Sequence, residues 1–329
     1  ITTVCDGNET HTLQAIEAAS TAFKSWSTQT AVYRSNLLKK WYQLMLQNAE
    51  DLAVLLTTEQ GKPLAEAKGE VLYGASFIEW FAEECKRTYG ETITTPTSNK
   101  RLMTIKQPIG VVAAITPWNF PIAMLTRKLA PALASGCTVV LKPAEDTPLC
   151  ALALAYLAKE AGLPNGVLNV ITTSQAAAVG KVLTTHPEVK KVSFTGSTEV
   201  GKILMEQSSS TLKKLSLELG GNAPCIVFDD ATIDIAVKGA IASKYRNAGQ
   251  TCICANRILV QKNIYPAFIE AYTKAVNELQ VGNGLKDGIH IGPLINEAAI
   301  QKVKDLLVDA IEKGATITTG GNIHDAGEL

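Results

Sequence analysis

Histidine, aromatic side chains and any surplus of charge are scarce in this sequence. Its four histidines, His11, His186, His290 and His324, lie far apart with no paired ligand spacing, so no metal site built on imidazole is expected. Lys plus Arg and Asp plus Glu both number 31, and no basic stripe interleaved with aromatics occurs. That balance argues against nucleic acid and anionic membrane surfaces, and leaves small neutral or weakly anionic ligands as the default. Long apolar runs are also missing: Val111 to Ile115 and Cys150 to Ala158 fall far short of the roughly 20 residues that cross a bilayer. The cysteines, Cys5, Cys85, Cys137, Cys150, Cys225, Cys252 and Cys254, are odd in number and scattered. They lack the spacing of a secreted disulfide framework, which favours a reducing compartment. The chain opens at Ile1 without an initiator methionine or a signal pattern, so its natural start is expected upstream. Cytoplasm is the expected setting, with the mitochondrial matrix left open.

What is present is enough for about two domains with substantial cores, given 329 residues and 46% hydrophobic content. Leu13, Ile16, Ala19 and Phe23, then Leu37, Leu38, Trp41, Leu44 and Met45, recur at helical spacing. Residues 13–89 therefore read as a helical entry layer, with Gly61 and Pro63 separating two helices. Thr92 to Lys106 turns Thr-rich and β-like, a hairpin or excursion. From Gly110 the order strand, loop, helix repeats. Strands are expected at 110–115, 138–141, 166–171 and 189–194, alternating with helices from about Ile122, from Pro148 behind a Thr147 N-cap, over 175–185 and over 198–207. The alternation predicts an α/β fold with a doubly wound parallel sheet. After Gly220-Gly221 the pattern restarts with strands at 225–228 and 257–261, helices at 266–279 and 296–313, and a strand near 315–319.

Several residues stand where chemistry is done. Cys252 follows a Gly249-Gln250-Thr251 turn between a helix and a strand, although free cysteine is also a common core residue. Gly196 and Ser197 turn a strand into a helix N-terminus, which offers free N–H groups to an anion; an ordinary tight turn reads equally well. Lys142 and Glu145 follow a strand end, the edge where open α/β sheets bind ligands. A carboxylate there accepts from ribose hydroxyls and repels a 2′-phosphate. Glu218 sits among leucines ahead of Gly220; burial would raise its pKa toward that of a base, whereas a strand-end Glu facing solvent is the plainer alternative. Asn119, between Pro117 and Pro121, carries an amide on a rigid turn, suited to an oxyanion or simply to the turn. Arg127 beside Lys128 reads, by itself, as a solvated helix face.

Taken in order, Pro117-Trp118-Asn119-Phe120, Lys142-Pro143-Ala144-Glu145, Phe194-Thr195-Gly196-Ser197-Thr198, Glu218-Leu219-Gly220-Gly221 and Gly249-Gln250-Thr251-Cys252 resemble the aldehyde dehydrogenase superfamily over nearly the whole chain. Met124 to Lys128, Lys244 to Asn247 and the Cys252-x-Cys254 pair resemble its succinate-semialdehyde branch. The resemblance implies Cys252 as nucleophile, Glu218 as base and Asn119 as oxyanion donor. It implies an NAD site, with NADP also open, formed by Trp118, Lys142, Glu145, Phe194, Gly196, Ser197 and Leu219. Arg127 and Arg246 would meet a distal carboxylate of an aldehyde substrate. A reversible Cys252–Cys254 disulfide is implied too, against which stands the Cβ separation of residues i and i+2 in a strand. Residues 1–87 and 109–219 are expected to bind dinucleotide, 88–108 to form a bridging or oligomerisation hairpin of a homodimer or homotetramer, and 220–329 to be a catalytic region. The family's closing strands and C-terminal oligomerisation strand have no match before Leu329, so that region is expected to be incomplete. A CoA-acylating enzyme normally lacks the base at the Glu218 position, and a non-catalytic relative has no need of Cys252, Glu218 and Asn119 together.

Overall fold

The computed structural model of the chain describes residues 1–327. Two compact units make up the chain: Ile1–Leu52 with Gly69–Glu218, and Ala53–Lys68 with the chain from Leu219 onward.

The first unit opens with α1 (Glu9–Trp26) and α2 (Ala31–Gln47). Asn8 starts α1 through a capping box: its side chain accepts from the His11 N–H at 3.1 Å, and the His11 ring accepts from the Asn8 N–H at 3.3 Å. Thr30 caps α2 by accepting from the Tyr33 N–H at 3.2 Å. Ile16, Ala19, Leu38, Trp41 and Met45, which carry the helical spacing, are fully buried. The Trp41 indole N–H donates to Leu154 O at 3.1 Å, so its polar atom is not left unsatisfied in the core.

Next come α3 (Ala49–Gln60) and α4 (Leu64–Glu84), which run through both units. Between them Gly61 takes φ +95°, a left-handed backbone that only glycine adopts without a Cβ penalty. The expected hairpin follows as β1 (Glu91–Ile93) antiparallel to β2 (Leu102–Thr104), every residue of both exposed.

One five-stranded sheet holds β3 (Val111–Ile115), β4 (Thr138–Lys142), β5 (Leu168–Val170), β6 (Val189–Thr195) and β7 (Lys214–Glu218) in the order β5-β4-β3-β6-β7, all pairs parallel. Every residue of β3 and β4 is buried, as the unbroken apolar runs of a sheet covered on both faces should be. The connections are α5 (Ala123–Ala134), α6 (Pro148–Glu160), α7 (Ala176–Thr185) and α8 (Thr198–Ser208). Strand order reverses between β3 and β6, so the crevice at their carboxyl ends is a topological switch point. Register sets Ile115 beside both Lys142 and Phe194, and Thr195 beside Glu218. The strand ends therefore arrive level.

One helix start differs from expectation. Pro148 is the first residue of α6 and Thr147 precedes it, yet the Thr147 hydroxyl makes no cap bond and lies buried without a partner. Its backbone, at φ −141° and ψ 61°, departs from the extended geometry that aims a cap oxygen at the helix N–H groups.

In the second unit β8 (Ala223–Val227) pairs in parallel with β9 (Ala255–Val260). Helices α9 (Ile233–Tyr245) and α10 (Tyr265–Asn277) share a core with them through Val227, Val237, Ala240, Ile264 and Phe268. Asn296 caps α11 (Glu297–Glu312) by accepting from the Ala299 N–H at 3.0 Å. The strand expected near 315–319 does not form. Instead the Ala315 N–H turns back to Ala310 O at 2.9 Å. The last two residues of the expected 220–329 region lie outside the described residues. Among those described, no helix is long and apolar enough to cross a membrane.

Candidate active site

At the carboxyl edge of the first unit's sheet, β3 runs into the loop that bears Trp118 and Asn119. The Thr116 N–H donates to Lys142 O at 3.1 Å, joining the exits of β3 and β4. Beyond the loop Phe120 is buried with Ala123 and Met124. Glu70 of α4, itself buried, accepts from the N–H groups of Ile122 at 2.9 Å and Ala123 at 3.2 Å. A carboxylate on the first N–H groups of α5 satisfies donors that no helical carbonyl reaches and suits the positive end of the helix dipole. Asn119 is thereby carried on a loop anchored on both sides.

Past β4, the buried Lys142 ammonium lies 2.8 Å from Glu145 Oε1 and 3.1 Å from Pro143 O, while Glu145 is exposed. Its carboxylate is therefore neutralised in part by its own neighbour, which softens the expected repulsion of a 2′-phosphate. After β6, the Gly196 N–H donates to Glu218 O at 3.1 Å. A Cβ on Gly196 would come within 2.4 Å of the Phe194 ring, so the turn leaves no room for a side chain. Ser197 then caps α8, its hydroxyl accepting from the Val200 N–H at 3.2 Å.

Glu218 ends β7 and is exposed, so the burial its neighbouring leucines suggested is not there. Lys128 reverses the other way. Read from sequence as part of a solvated face, it is buried on α5, and its ammonium donates to the Thr195 hydroxyl at 2.6 Å. Burial brings its pKa down to about 8; the Glu218 charge pulls it back up, while Arg127 and Lys191 push it further down. The missed signal was in the helix itself: Met124, Leu125, Leu129 and Ala130 surround the two charges, and a helix apolar on all sides is a buried one. Arg127 is half-buried, its guanidinium 4.7 Å from the Phe77 ring centroid and 5.7 Å from that of Tyr73. It also donates to the Tyr73 hydroxyl.

The second unit holds Arg246, Cys252 and Cys254 in one turn between α9 and β9. Asn247 (φ 52°), Ala248 (φ 54°) and Gly249 (φ 76°) form a left-handed run. For an L-residue such as Ala248 this backbone costs about 1–2 kcal/mol, and strain of this kind concentrates at functional sites. Gln250 braces the run: its side-chain N–H donates to Asn247 O at 3.2 Å and its oxygen accepts from the Ile295 N–H at 3.0 Å. Arg246 and Cys252 are exposed, whereas Cys254 is buried with its thiol donating to Gly249 O at 3.2 Å. The strand geometry that spoke against a Cys252–Cys254 bridge does not apply, since both cysteines lie in the turn and β9 begins only at Ala255. Both are free thiols here. Leu219, just past β7, is half-buried.

Residues 1–328 match the aldehyde dehydrogenase family, and the chain belongs to it. It is 60% identical over 316 residues to succinate-semialdehyde dehydrogenase [NADP(+)] GabD of Escherichia coli K12, covering 96% of this chain and 65% of that protein. Over 312 residues it is 60% identical to glutarate-semialdehyde dehydrogenase of Pseudomonas putida, covering 95% of this chain and 65% of the other. The crystal structure of succinate-semialdehyde dehydrogenase from Burkholderia pseudomallei superposes with a TM-score of 0.98 at 56% identity, over 99% of this chain and 68% of that one. The chain thus spans about 65% of the length of the two curated relatives.

Proposed function

We propose that the protein oxidises a small semialdehyde with a distal carboxylate, succinic semialdehyde foremost, to the dicarboxylate with NAD(P). The observation that carries this reading is the exposed Cys252 thiol on its left-handed turn, in a chain similar to succinate- and glutarate-semialdehyde dehydrogenases.

The residues present fit a dinucleotide. Gly196 presses its backbone on Phe194 where no Cβ is accommodated, and α8 opens there with the N–H groups that suit a pyrophosphate. Ser197 at that helix start would hold the pyrophosphate, Lys142 and Glu145 at the β4 exit would meet the ribose hydroxyls, and Trp118, Phe194 and Leu219 would supply the remaining contacts. NAD is the preferred cofactor on the charge of Glu145, with NADP accepted because Lys142 offsets that charge.

Cys252, as the thiolate, attacks the aldehyde carbon; a C–S bond forms and the carbonyl electrons move to oxygen. The Asn119 amide and the Cys252 N–H stabilise that oxyanion. When bound, the nicotinamide supplies the hydride acceptor, and a thioester remains on Cys252. Glu218 takes a proton from water, whose oxygen adds to the thioester carbon; the carboxylate product departs and Cys252 is returned as thiolate. Arg246, with Arg127, binds the distal carboxylate. Glu218 favours hydrolysis over acyl transfer to CoA.

This reading assigns dinucleotide binding to residues 1–87 and 109–219, and the thiol chemistry to the region from 220 onward. The exposed Ile93, Leu102 and Met103 of the β1–β2 hairpin support association as a homodimer or homotetramer. It also includes a Cys252–Cys254 disulfide under oxidation, which requires Cys254 to leave Gly249 O; peroxide that inactivates wild type and Cys254→Ala equally would remove it. Cytoplasm or mitochondrial matrix is the proposed setting.

The test is turnover by the purified protein of succinic semialdehyde, glutaric semialdehyde and a neutral aldehyde of similar length. Succinic semialdehyde is expected to give the highest kcat/KM. Indifference to the distal carboxylate would overturn the substrate assignment.

A further inference from the structure

We propose that Glu66 is a positioning residue for the thiol: its carboxylate holds the left-handed turn from which Cys252 is presented. Glu66 stands in the first turn of α4, where an acidic side chain ordinarily serves its own helix. Its Oε2 accepts the Asn247 N–H at 2.9 Å. Asn247 is 1% exposed, and a buried backbone N–H needs an acceptor. A carboxylate there forms a charge-assisted bond, stronger than one to a neutral oxygen.

That bond falls on the first residue of the run Asn247, Ala248, Gly249, all at positive φ. Gln250 braces the same residue from its carbonyl side, spanning 3.2 Å to Asn247 O and 3.0 Å to the Ile295 N–H. The peptide groups on both sides of Asn247 are thus gripped by side chains, and the strained backbone between Arg246 and Gln250 is retained although L-residues adopt it reluctantly. Cys252 follows two residues after this brace and is exposed, whereas Cys254 turns inward. Without the Glu66 carboxylate the run relaxes toward ordinary backbone, and the thiol loses the orientation that exposes it.

The proposal rests on Cys252 being the nucleophile, and its test needs no turnover. Alkylation by iodoacetamide is followed at Cys252 and at Cys5, the other exposed thiol, by peptide mass spectrometry in wild type, Glu66→Ala, Glu66→Gln and Glu66→Asp. The rate at Cys252 relative to Cys5 is expected to fall about fivefold in Glu66→Ala. Glu66→Gln keeps an acceptor oxygen at the same reach and should restore the ratio to within about twofold. Glu66→Asp keeps the charge but not the reach and should behave like Glu66→Ala; this contrast stands even where Glu66→Ala does not fold. A ratio that is unchanged or raised in Glu66→Asp, or lowered in Glu66→Gln as much as in Glu66→Asp, would overturn the proposal. A protein that oxidises no semialdehyde yet gives the expected ratios would refute the proposed reaction alone.

Discussion

The Lys142 ammonium and the Glu145 carboxylate lie 2.8 Å apart at the exit of β4, one buried and the other exposed. On the proposed reading, a 2′-phosphate on the ribose would meet the pair rather than a bare negative charge. Replacing Glu145 by Ser removes the anion and leaves the Lys142 charge for the incoming group. The ratio of kcat/KM for NADP to that for NAD should then rise about tenfold or more, the scale of one charge-assisted hydrogen bond. Steady-state kinetics with both cofactors measures it, and a change under twofold would remove Glu145 from cofactor choice.

Lys128 gives a pH signature. Its folded pKa of about 8 lies below the 10.5 it has when solvated, so between those values the unfolded chain binds the extra proton. Stability from this group therefore rises with pH across that window. Burying the charged form costs about 3 kcal/mol at pH 7, and the cost falls away as pH passes 8 toward 10.5. Measured by denaturant unfolding, wild type should gain about 2 kcal/mol relative to Lys128→Met between pH 7 and pH 9.5. A difference constant over that range would contradict a buried, neutralisable lysine.

Strand-loop-helix alternation made the sheet legible, because buried parallel strands such as Val111–Ile115 and Thr138–Lys142 are unbroken apolar runs. The candidate residues at strand exits were legible for the same reason: an open sheet leaves its loops at the carboxyl edge. Lys128 was not, since a charge pair reads as solvent-facing until the whole helix around it is seen to be buried. Glu66 and Glu70 were hidden for a different reason. Each acts on a backbone N–H far along the chain, Asn247 for one and Ile122 with Ala123 for the other, and a backbone acceptor leaves no pattern in side-chain identity. The Thr147 cap failed because a residue type predicts capacity, not the φ and ψ that aim it.

The thiol and the base should separate in time. Cys252→Ala is expected to abolish oxidation, by at least about a thousandfold, because the covalent step has no substitute. Glu218→Gln keeps thiolate attack but loses water activation, so steady turnover should fall about 10²- to 10⁴-fold. A burst of reduced cofactor should remain, with an acyl adduct on the Cys252 peptide by mass spectrometry. Loss of the burst together with turnover would place Glu218 before the thioester instead of after it.

The proposed reading assigns the substrate carboxylate to Arg246 with Arg127, and the surroundings of the two differ. Arg246 is exposed beside the left-handed turn, whereas the Arg127 guanidinium already lies over Phe77 and Tyr73 and donates to the Tyr73 hydroxyl. A carboxylate reaching Arg127 shares a cation that Tyr73 and Phe77 already engage, whereas Arg246 stands exposed at the turn that leads to Cys252. Arg246→Ala should therefore lower kcat/KM for succinic semialdehyde by about 10- to 100-fold, the range of a charge-assisted pair, and leave a neutral aldehyde within about twofold. Arg127→Ala should cost less selectivity but more stability, since Tyr73 and Phe77 lose the cation stacked on them. Kinetics on the two aldehydes, paired with unfolding of both variants, decides the order: equal losses for charged and neutral aldehyde in Arg246→Ala would shift the carboxylate to Arg127 or away from both.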